Sequence, residues 1–590
     1  MPEFSQNTTG KMLSVRFSNA VTSVSLGTNE QFLEMVQVKQ ESEPEEELPR
    51  QLRHHVFFMD FAGKKHTEIP APVLDLEELE ELHLEKNQIE VIPKEISHLR
   101  NVKVLYLNNN NIKHVCEELA DLQSLHSLDL SNNPLSSSTL EIISKVHQLR
   151  ELRLYSINLE VFPVELCKNL YHLQLLGLSS NHLKFLPPEI VNLINLKEIY
   201  LQNNKFEEFP LQICSLSSLE VIDLEQNKLK SIPVQVRSLS KLRKLFVGFN
   251  NISFIPKSLY HCTRMTVFDT SYNKLQKLPH KLTGLNELNE LALSDNELRV
   301  FPSPLCQMQS LCVLYMKNTG LKNLPPAFGK LTFIRILDLS QNYFTDFPDV
   351  ICGLNDLQIL SLDDNLIRMI TPEVKLLSKL THLGLSGNRF SSFPEEICLI
   401  ESLERLYIGQ DQGIRLSNLP ESISKLKNLK ELYIENNNLE FLPSTFNQLQ
   451  NLEVLDCHNN LLKRLPDEIC QLQGLKKLSL QNNQLSSLPE NLDLLQKLEV
   501  ILLDGNALVD PPIEVYNLGK SYVWEYLKEK RRKNAFATKI QAWWRGLLVR
   551  KGLGPFAYLS NARQKGKKSK KDKKTKGKDK KGQTKGKKKN

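Results

Sequence analysis

From Leu79 onward the chain keeps returning to one order of apolar and polar positions, Leu-x-x-Leu-x-Leu-x-x-Asn-x-Leu. One instance runs from Leu79 through Leu82, Leu84 and Asn87 to Ile89, another from Leu219 through Ile222, Leu224 and Asn227 to Leu229. The first positions fall at residues 79, 102, 125, 149, 173, 196, 219, 242, 265, 288, 311, 334, 357, 380, 403, 429, 452, 475 and 498, which makes nineteen copies. Fifteen of the eighteen intervals are 23 residues, two are 24 and one is 26. Self-similarity at a fixed period of this length predicts one stacked array rather than a string of separate globular domains. A worn copy precedes the first, with Val56, Met59 and Phe61 at apolar positions and Ile69-Pro70 in register.

Inside each copy the spacing assigns roles. Leu-x-Leu has period two, so both leucines point to one side of a short strand and the residue between them to the other. Sixteen of nineteen copies carry Asn at the ninth position; the exceptions are Ile157, Thr319 and Asp411. A buried amide both donates and accepts, so it can serve backbone groups where the chain leaves the strand, and stacked amides would tie successive coils together. Most copies continue with an apolar residue and Pro, as at Leu186-Pro187, Ile232-Pro233 and Leu465-Pro466. Proline lacks an N–H and fixes φ, so a short helix or 3₁₀ turn should form the return path. No coil can enclose its own leucines; stacking alone buries them. The pattern is identified as the leucine-rich repeat. The expected fold class is α/β: a leucine-rich-repeat solenoid over residues 56–512, with a curved parallel sheet on the concave face and short helical or 3₁₀ segments outside. A C-terminal helix and disordered ends complete the expectation.

The residue between the strand leucines faces the concave side. That register carries Tyr106, Tyr200, Phe246, Tyr315, Tyr407 and Tyr433, along with Asp129, Asp223, Asp269, Asp338 and Asp456. Aromatic anchors among carboxylates suit a protein ligand; the plainer explanation is that aromatics favour strands. Two irregularities stand out. Residues 134–160 lack the Pro step, and the copy beginning at Leu403 has three extra residues within Gly409–Leu419. Each reads either as a docking loop or as a tolerated insertion.

Past Pro511-Pro512 the pattern stops. Tyr522 to Leu527 is helix-compatible and could cover the open end of the stack, within a cap-and-linker region of 513–535. Next comes Ile540-Gln541-Ala-Trp543-Trp544-Arg545-Gly546-Leu547-Leu548-Val549-Arg550, with Leu553 three further on. Phe536, Ile540, Trp543, Leu547 and Leu548 recur at helical spacing, flanked by Lys539, Arg545, Arg550 and Lys551. A basic amphipathic helix in an apolar groove is one mode of partner recognition. Every defined position of IQxxxRGxxxR is filled, so residues 536–553 resemble an IQ motif. The resemblance implies binding of calmodulin or a calmodulin-like light chain. It places Ile540 in an apolar cleft, Gln541 on backbone at the cleft edge, Arg545 and Arg550 on acidic side chains, and Gly546 where the partner comes close. Phe536, Ile540, Trp543 and Val549 also fit a 1-5-8-14 anchor spacing, so calcium-loaded binding belongs to the expectation too. The rival readings are a helix packed back on the solenoid or laid on a membrane surface. Repeats plus motif are similar to the leucine-rich repeat and IQ domain-containing proteins.

Charge refines this picture. The formal net charge is +7, yet Arg563 to Asn590 hold fifteen Lys, one Arg and two Asp, a net of +14, so the rest is 7 − 14 = −7. Such a tail is expected to be disordered, and could bind acidic tubulin tails, nucleic acid or anionic lipid by unspecific attraction. It has no aromatic residue for base stacking. Residues 1–55 hold an acidic run and no sustained pattern, and disorder is expected there too. Six of ten cysteines share one register, at 167, 214, 306, 352, 398 and 470. They read as small apolar core residues rather than metal ligands or disulfides, in a chain expected to be cytoplasmic. No zinc-spaced cluster or nucleophile motif occurs. Gly519-Lys520-Ser521 resembles the end of a phosphate loop, but Glu514 stands where glycine is required. The expectation is an adaptor without catalysis, metal or cofactor. It would hold a protein ligand on the solenoid and calmodulin on the helix. The alternative is a structural cytoskeletal or ciliary component using the basic tail on an acidic polymer. No run of apolar residues is long enough to span a membrane.

Overall fold

A computed structural model describes residues 56–551 and Leu553. The expectations for residues 1–55 and for the tail at 563–590 lie outside the described residues. The core follows directly from the repeat. Twenty three-residue strands, from β1 (Phe58–Asp60) and β2 (Glu81–His83) to β20 (Val500–Leu502), each lie parallel to the next strand in the chain. The register puts like on like, with Leu82 beside Leu105 and Leu105 beside Leu128. All three are fully buried. Each such leucine contributes roughly 1.5–3 kcal/mol of burial, largely offset by the entropy of ordering its coil. The worn copy is a true coil: β1 pairs with β2, and Val56, Met59 and Phe61 pack on the core.

The asparagines form a ladder that reaches backward along the chain. Asn227 donates through Nδ2 to Leu201 O (3.0 Å) in the preceding coil and to Leu224 O (3.1 Å) and Glu225 O (3.0 Å) in its own. Its Oδ1 accepts from Phe206 N–H at 3.1 Å. One side chain thereby closes its own turn and fastens it to the previous one. Where the Asn is missing, the next rung takes on more. Asn181 Oδ1 accepts from both Ile157 N–H and Leu159 N–H, and Asn342 Oδ1 from both Thr319 N–H and Leu321 N–H. The third exception is resolved differently. Asp411 is exposed and pairs with Asn436, while Gln410 turns inward at 1% exposure. The three extra residues shift which polar side chain meets the core, and Asn437 still reaches Ile408 O at 3.2 Å.

The return path is a five-residue 3₁₀ turn in most coils, opened by the proline, as at Leu211–Ser215, Val234–Ser238 and Asp467–Gln471. Proline suits that position because its missing N–H would have had no partner in the turn. Short α-helices occur at α1 (Ala71–Leu74), α2 (Ser137–Ile143) and α3 (Val164–Asn169). The helix α2 occupies the stretch without the Pro step, so that irregularity is a longer return helix, not a loop. All ten cysteines are free; the six in register are buried at 0–6% exposure. Burial pushes the thiols of Cys167, Cys352 and Cys470 up to about 12. Among the described residues no group of His, Cys, Asp and Glu is arranged to hold a metal ion, and no helix is long and apolar enough to cross a membrane.

Candidate functional site

The last coil has no successor, and two helices follow it: α4 (Ile513–Asn517) and α5 (Lys520–Lys551). Gly519 joins them at φ +112°, a conformation that favours glycine. The cap is built from the first half of α5. Val523 and Leu527 are fully buried. Lys520 Nζ donates to Leu498 O (2.6 Å) and Glu499 O (3.3 Å), carbonyls left free at the edge of the stack. That lysine is therefore a structural tie in a sequence that only resembles a phosphate loop. Arg531 donates from Nη1 to Glu490 O (3.1 Å), Asn491 Oδ1 (2.9 Å) and Asp493 Oδ1 (2.9 Å), and from Nη2 to Asp493 Oδ2 (2.8 Å). The Asp493 side chain is 1% exposed, so this forked pair is one-sidedly buried. Lys530 pairs with Asp510, which also accepts from Tyr526 Oη at 3.0 Å, and Asn534 bonds Glu490.

After Asn534 the helix continues without touching the coils through any hydrogen bond or ion pair shown among the described residues. Phe536, Ile540, Trp543 and Trp544 are 66%, 64%, 60% and 53% exposed. Gln541, Arg545 and Arg550 are exposed, and Gly546, Leu547, Leu548 and Val549 half-buried. A side-chain carbon added at Gly546 would meet nothing nearer than 4.0 Å, so that surface is open. Leu553 N–H donates to Leu548 O at 2.9 Å, and its side chain is exposed. The helix is continuous across residues 535 and 536, where the sequence had placed the end of a linker. The structure brings the candidate residues from Phe536 to Arg550 onto one helix, with Leu553 just past its end, and does not fold that helix back on the solenoid.

The second candidate surface is the open face of the sheet. The six aromatics fall in one row, but on strands that are mostly not neighbours. Tyr407 and Tyr433 are brought together, stacked at 4.7 Å and 8°. Tyr200 is buried, and its hydroxyl donates to Glu198 Oε2 at 2.7 Å. Tyr106, Phe246 and Tyr315 are half-buried on separate strands. Tyr106 lies against His83 at 4.8 Å.

Family models for the leucine rich repeat match residues 77–135, 194–252, 240–298 and 450–508, with further repeat matches at 379–400 and 427–470. The model for the IQ calmodulin-binding motif matches residues 534–553. Curated relatives in human and mouse, both called leucine-rich repeat and IQ domain-containing protein 4, are 51% identical to the chain over 162 residues. That stretch is 28% of this chain, 29% of the human relative and 27% of the mouse one.

The chain carries leucine-rich repeats and an IQ calmodulin-binding motif, the two features in the name of those relatives, and spans under a third of their length in the matched stretch.

The chain is also similar to two solved structures. A Leptospira interrogans leucine-rich-repeat protein is 27% identical, with TM-score 0.46, covering 79% of this chain and 94% of its own. The Arabidopsis receptor kinase HAESA ectodomain, in complex with a peptide hormone ligand, is 27% identical, with TM-score 0.48, covering 75% and 80%.

In this chain the sheet face holds more chemistry than the aromatic row. Two strand positions further, and two earlier, side chains point the same way. Glu225 and Asp269 converge over Gly248, where an added carbon would lie 3.3 Å from Glu225 Oε1 and 3.6 Å from Asp269 Oδ1. Burial, then the nearby Asp269 and Asp223 charges, pushes the Glu225 carboxyl up to about 8. Burial likewise pushes Asp223 up to about 6, and Asp269 in the same direction. Tyr155 lies over Gly177, Asp363 over Gly384 and Glu435 over Gly409, each in space that any larger residue would fill. Phe249 and Tyr272, three residues past the ends of their strands (Lys244–Phe246 and Val267–Asp269), stack on each other at 4.0 Å and 11° while 45% and 40% exposed. The period of two would have found Glu225, Asp363 and Glu435, had all strand positions been read and not only the central one. Phe249 and Tyr272 give no periodic signal.

Proposed function

We propose that the chain is an adaptor. It holds a protein ligand on the sheet face and calmodulin, or a calmodulin-like light chain, on residues 536–553. The carrying observation is the run of Phe536, Ile540, Trp543 and Trp544 left more than half exposed on a helix whose preceding turns are tied to the solenoid. Large apolar side chains in a contiguous exposed patch mark a partner surface. The match to the IQ calmodulin-binding motif names the partner class. In this reading Phe536, Ile540, Trp543 and Leu547 enter the apolar cleft, helped by Trp544, Val549 and Leu553. Gln541 bonds to the partner backbone. Arg545 and Arg550 meet its acidic side chains, and Gly546 admits its close approach. On the sheet, Tyr106, Tyr200, Phe246, Tyr315, Tyr407 and Tyr433 serve as ligand contacts.

The test titrates the full chain with calmodulin, with calcium and with chelator, following tryptophan emission. All three tryptophans, Trp524, Trp543 and Trp544, lie in α5. Binding in at least one condition, lost in Ile540→Ala/Trp543→Ala and in Arg545→Glu, is expected. Absence of binding in both conditions removes the calmodulin half of the proposal.

A further inference from the structure

Most positions in the row of Phe249 and Tyr272 hold Asn, Ser, Gln, Asp, Lys or Gly, and φ there is positive, from 50° to 59° for the non-glycine residues of this row. Left-handed backbone favours Gly, Asn and Asp and penalises bulky side chains. Two successive coils nonetheless place aromatics there, Phe249 at φ 52° and Tyr272 at φ 54°. The core gains little from them, since both rings remain near half exposed. They form a flat, solvent-facing stack beside Gly248, the floor over which Glu225 and Asp269 converge.

The sheet face beside this stack is mostly negative. On the sheet face and past the C-terminal ends of its strands, the five coils starting at residues 196, 219, 242, 265 and 288 carry Glu198, Asp223, Glu225, Asp269, Glu290 and Asp295. Against these six carboxylates stands one ammonium in the same positions, Lys244, while Lys197, Glu220 and Arg243 lie one residue before their strands. Carboxylates that outnumber cations invite a cationic ligand, and flat aromatic faces invite a planar one. Guanidinium satisfies both demands, because it stacks on rings and forks onto carboxylates, whereas ammonium is a compact point charge. The chain's own tail from Arg563 has fifteen lysines and a single arginine, so it brings charge without planes.

We propose that the Phe249–Tyr272 stack, together with Asp223, Glu225 and Asp269, is a docking surface for an arginine-bearing basic segment of another polypeptide. This rests on the reading of the sheet face as a ligand surface and names the chemistry of that ligand. The arginine planes lie on the aromatic stack, and neighbouring cations face the carboxylates over Gly248.

The experiment uses the full chain and two labelled peptides of equal length and charge, one Arg/Gly and one Lys/Gly, at moderate salt, read by fluorescence anisotropy. The Arg/Gly peptide should bind tighter than the Lys/Gly peptide by about fivefold, the scale of a partly exposed cation–π contact. Phe249→Ser/Tyr272→Asn, which places residues suited to the turn, should erase that preference while leaving the Lys/Gly affinity unchanged. Asp223→Asn/Glu225→Gln/Asp269→Asn should weaken both peptides by about tenfold or more, as expected when charges at a binding face are removed. Glu95→Gln/Glu117→Gln/Glu118→Gln, on the outer turns, should change neither. Calmodulin titration of every variant should match the parent, which separates failure here from failure of the adaptor reading. Equal affinity for the two peptides, or indifference to the Phe249/Tyr272 change, overturns the proposal. So does an equal loss in the outer-turn variant. Binding seen only after truncation at Ala562 would mean that the lysine tail holds the surface, and would overturn it as well.

Discussion

Replacing Asn227 with alanine tests the ladder at one rung, and the structure sets the size of the effect. Asn227 makes four bonds, but their loss is unequal. Leu201 O keeps Asn204 Nδ2 at 3.0 Å, Leu224 O keeps Asn250 Nδ2 at 2.9 Å, and Glu225 O keeps the Asn203 N–H at 2.9 Å. Those carbonyls each lose a second donor only. Phe206 N–H has Asn227 Oδ1 as its acceptor, and the Phe206 residue is fully buried. An orphaned buried N–H costs about 1–3 kcal/mol, and the weakened carbonyls add to it, so about 2–4 kcal/mol is expected in total. Because coils couple to their neighbours, the loss should be local. Native-state hydrogen exchange should show reduced protection in the coils starting at residues 196 and 219 and little change near Asn437. Urea unfolding followed by far-UV dichroism supplies the global figure. Asn227→Thr should recover part of the loss, since Thr319 stands at this position in the natural chain and donates to Met316 O at 2.9 Å. A loss below about 0.5 kcal/mol, no more than a neutral surface change, or protection falling evenly along the chain, would refute the reasoning.

Arg531→Ala should leave the Asp493 carboxylate buried and unpaired, costing about 3 kcal/mol; α5 should then exchange its amide protons faster, while the coils before residue 475 keep theirs. Glu225→Gln should raise the melting temperature at pH 8. Its folded-state carboxyl sits at about 8 against a reference of 4.5, so ionisation opposes folding between those values, and the advantage of Gln should shrink to nothing as pH falls toward 4.5. The thiols of Cys167, Cys352 and Cys470, held near 12 by burial, should resist a thiol reagent at pH 8 until denaturant is added; rapid labelling of the native chain would contradict their placement.

The array itself was legible because its signals are local and repeated: two leucines at period two, an amide three residues after the second, a proline opening the return. Reading the Asn as a tie between coils needed only the donor and acceptor count of one side chain. Two features were hidden for physical reasons. Which polar residue enters the core at Gly409–Gly413 depends on how three extra residues shift the turn, and Gln410 prevailed over Asp411. The continuity of α5 was obscured because every residue from Lys528 to Asn534 is polar. Its holding partners, Asp493 and Asp510, lie 38 and 20 residues upstream of Arg531 and Lys530. The IQ motif could be read in full because its positions are consecutive in the chain. The Phe249–Tyr272 stack could not, since it forms between two coils.

The unbroken run from Lys520 to Lys551 also fixes an angle. Adding one alanine between Ala535 and Phe536 would turn everything beyond it by about 100° and advance it by about 1.5 Å. Whatever grips Ile540 and Trp543 would then point along a different compass bearing, though its grip would be untouched. Seven added residues, close to two full revolutions, would nearly restore the heading. The direction in which a docked molecule is presented is thus set by helical phase, like a key cut on a shaft.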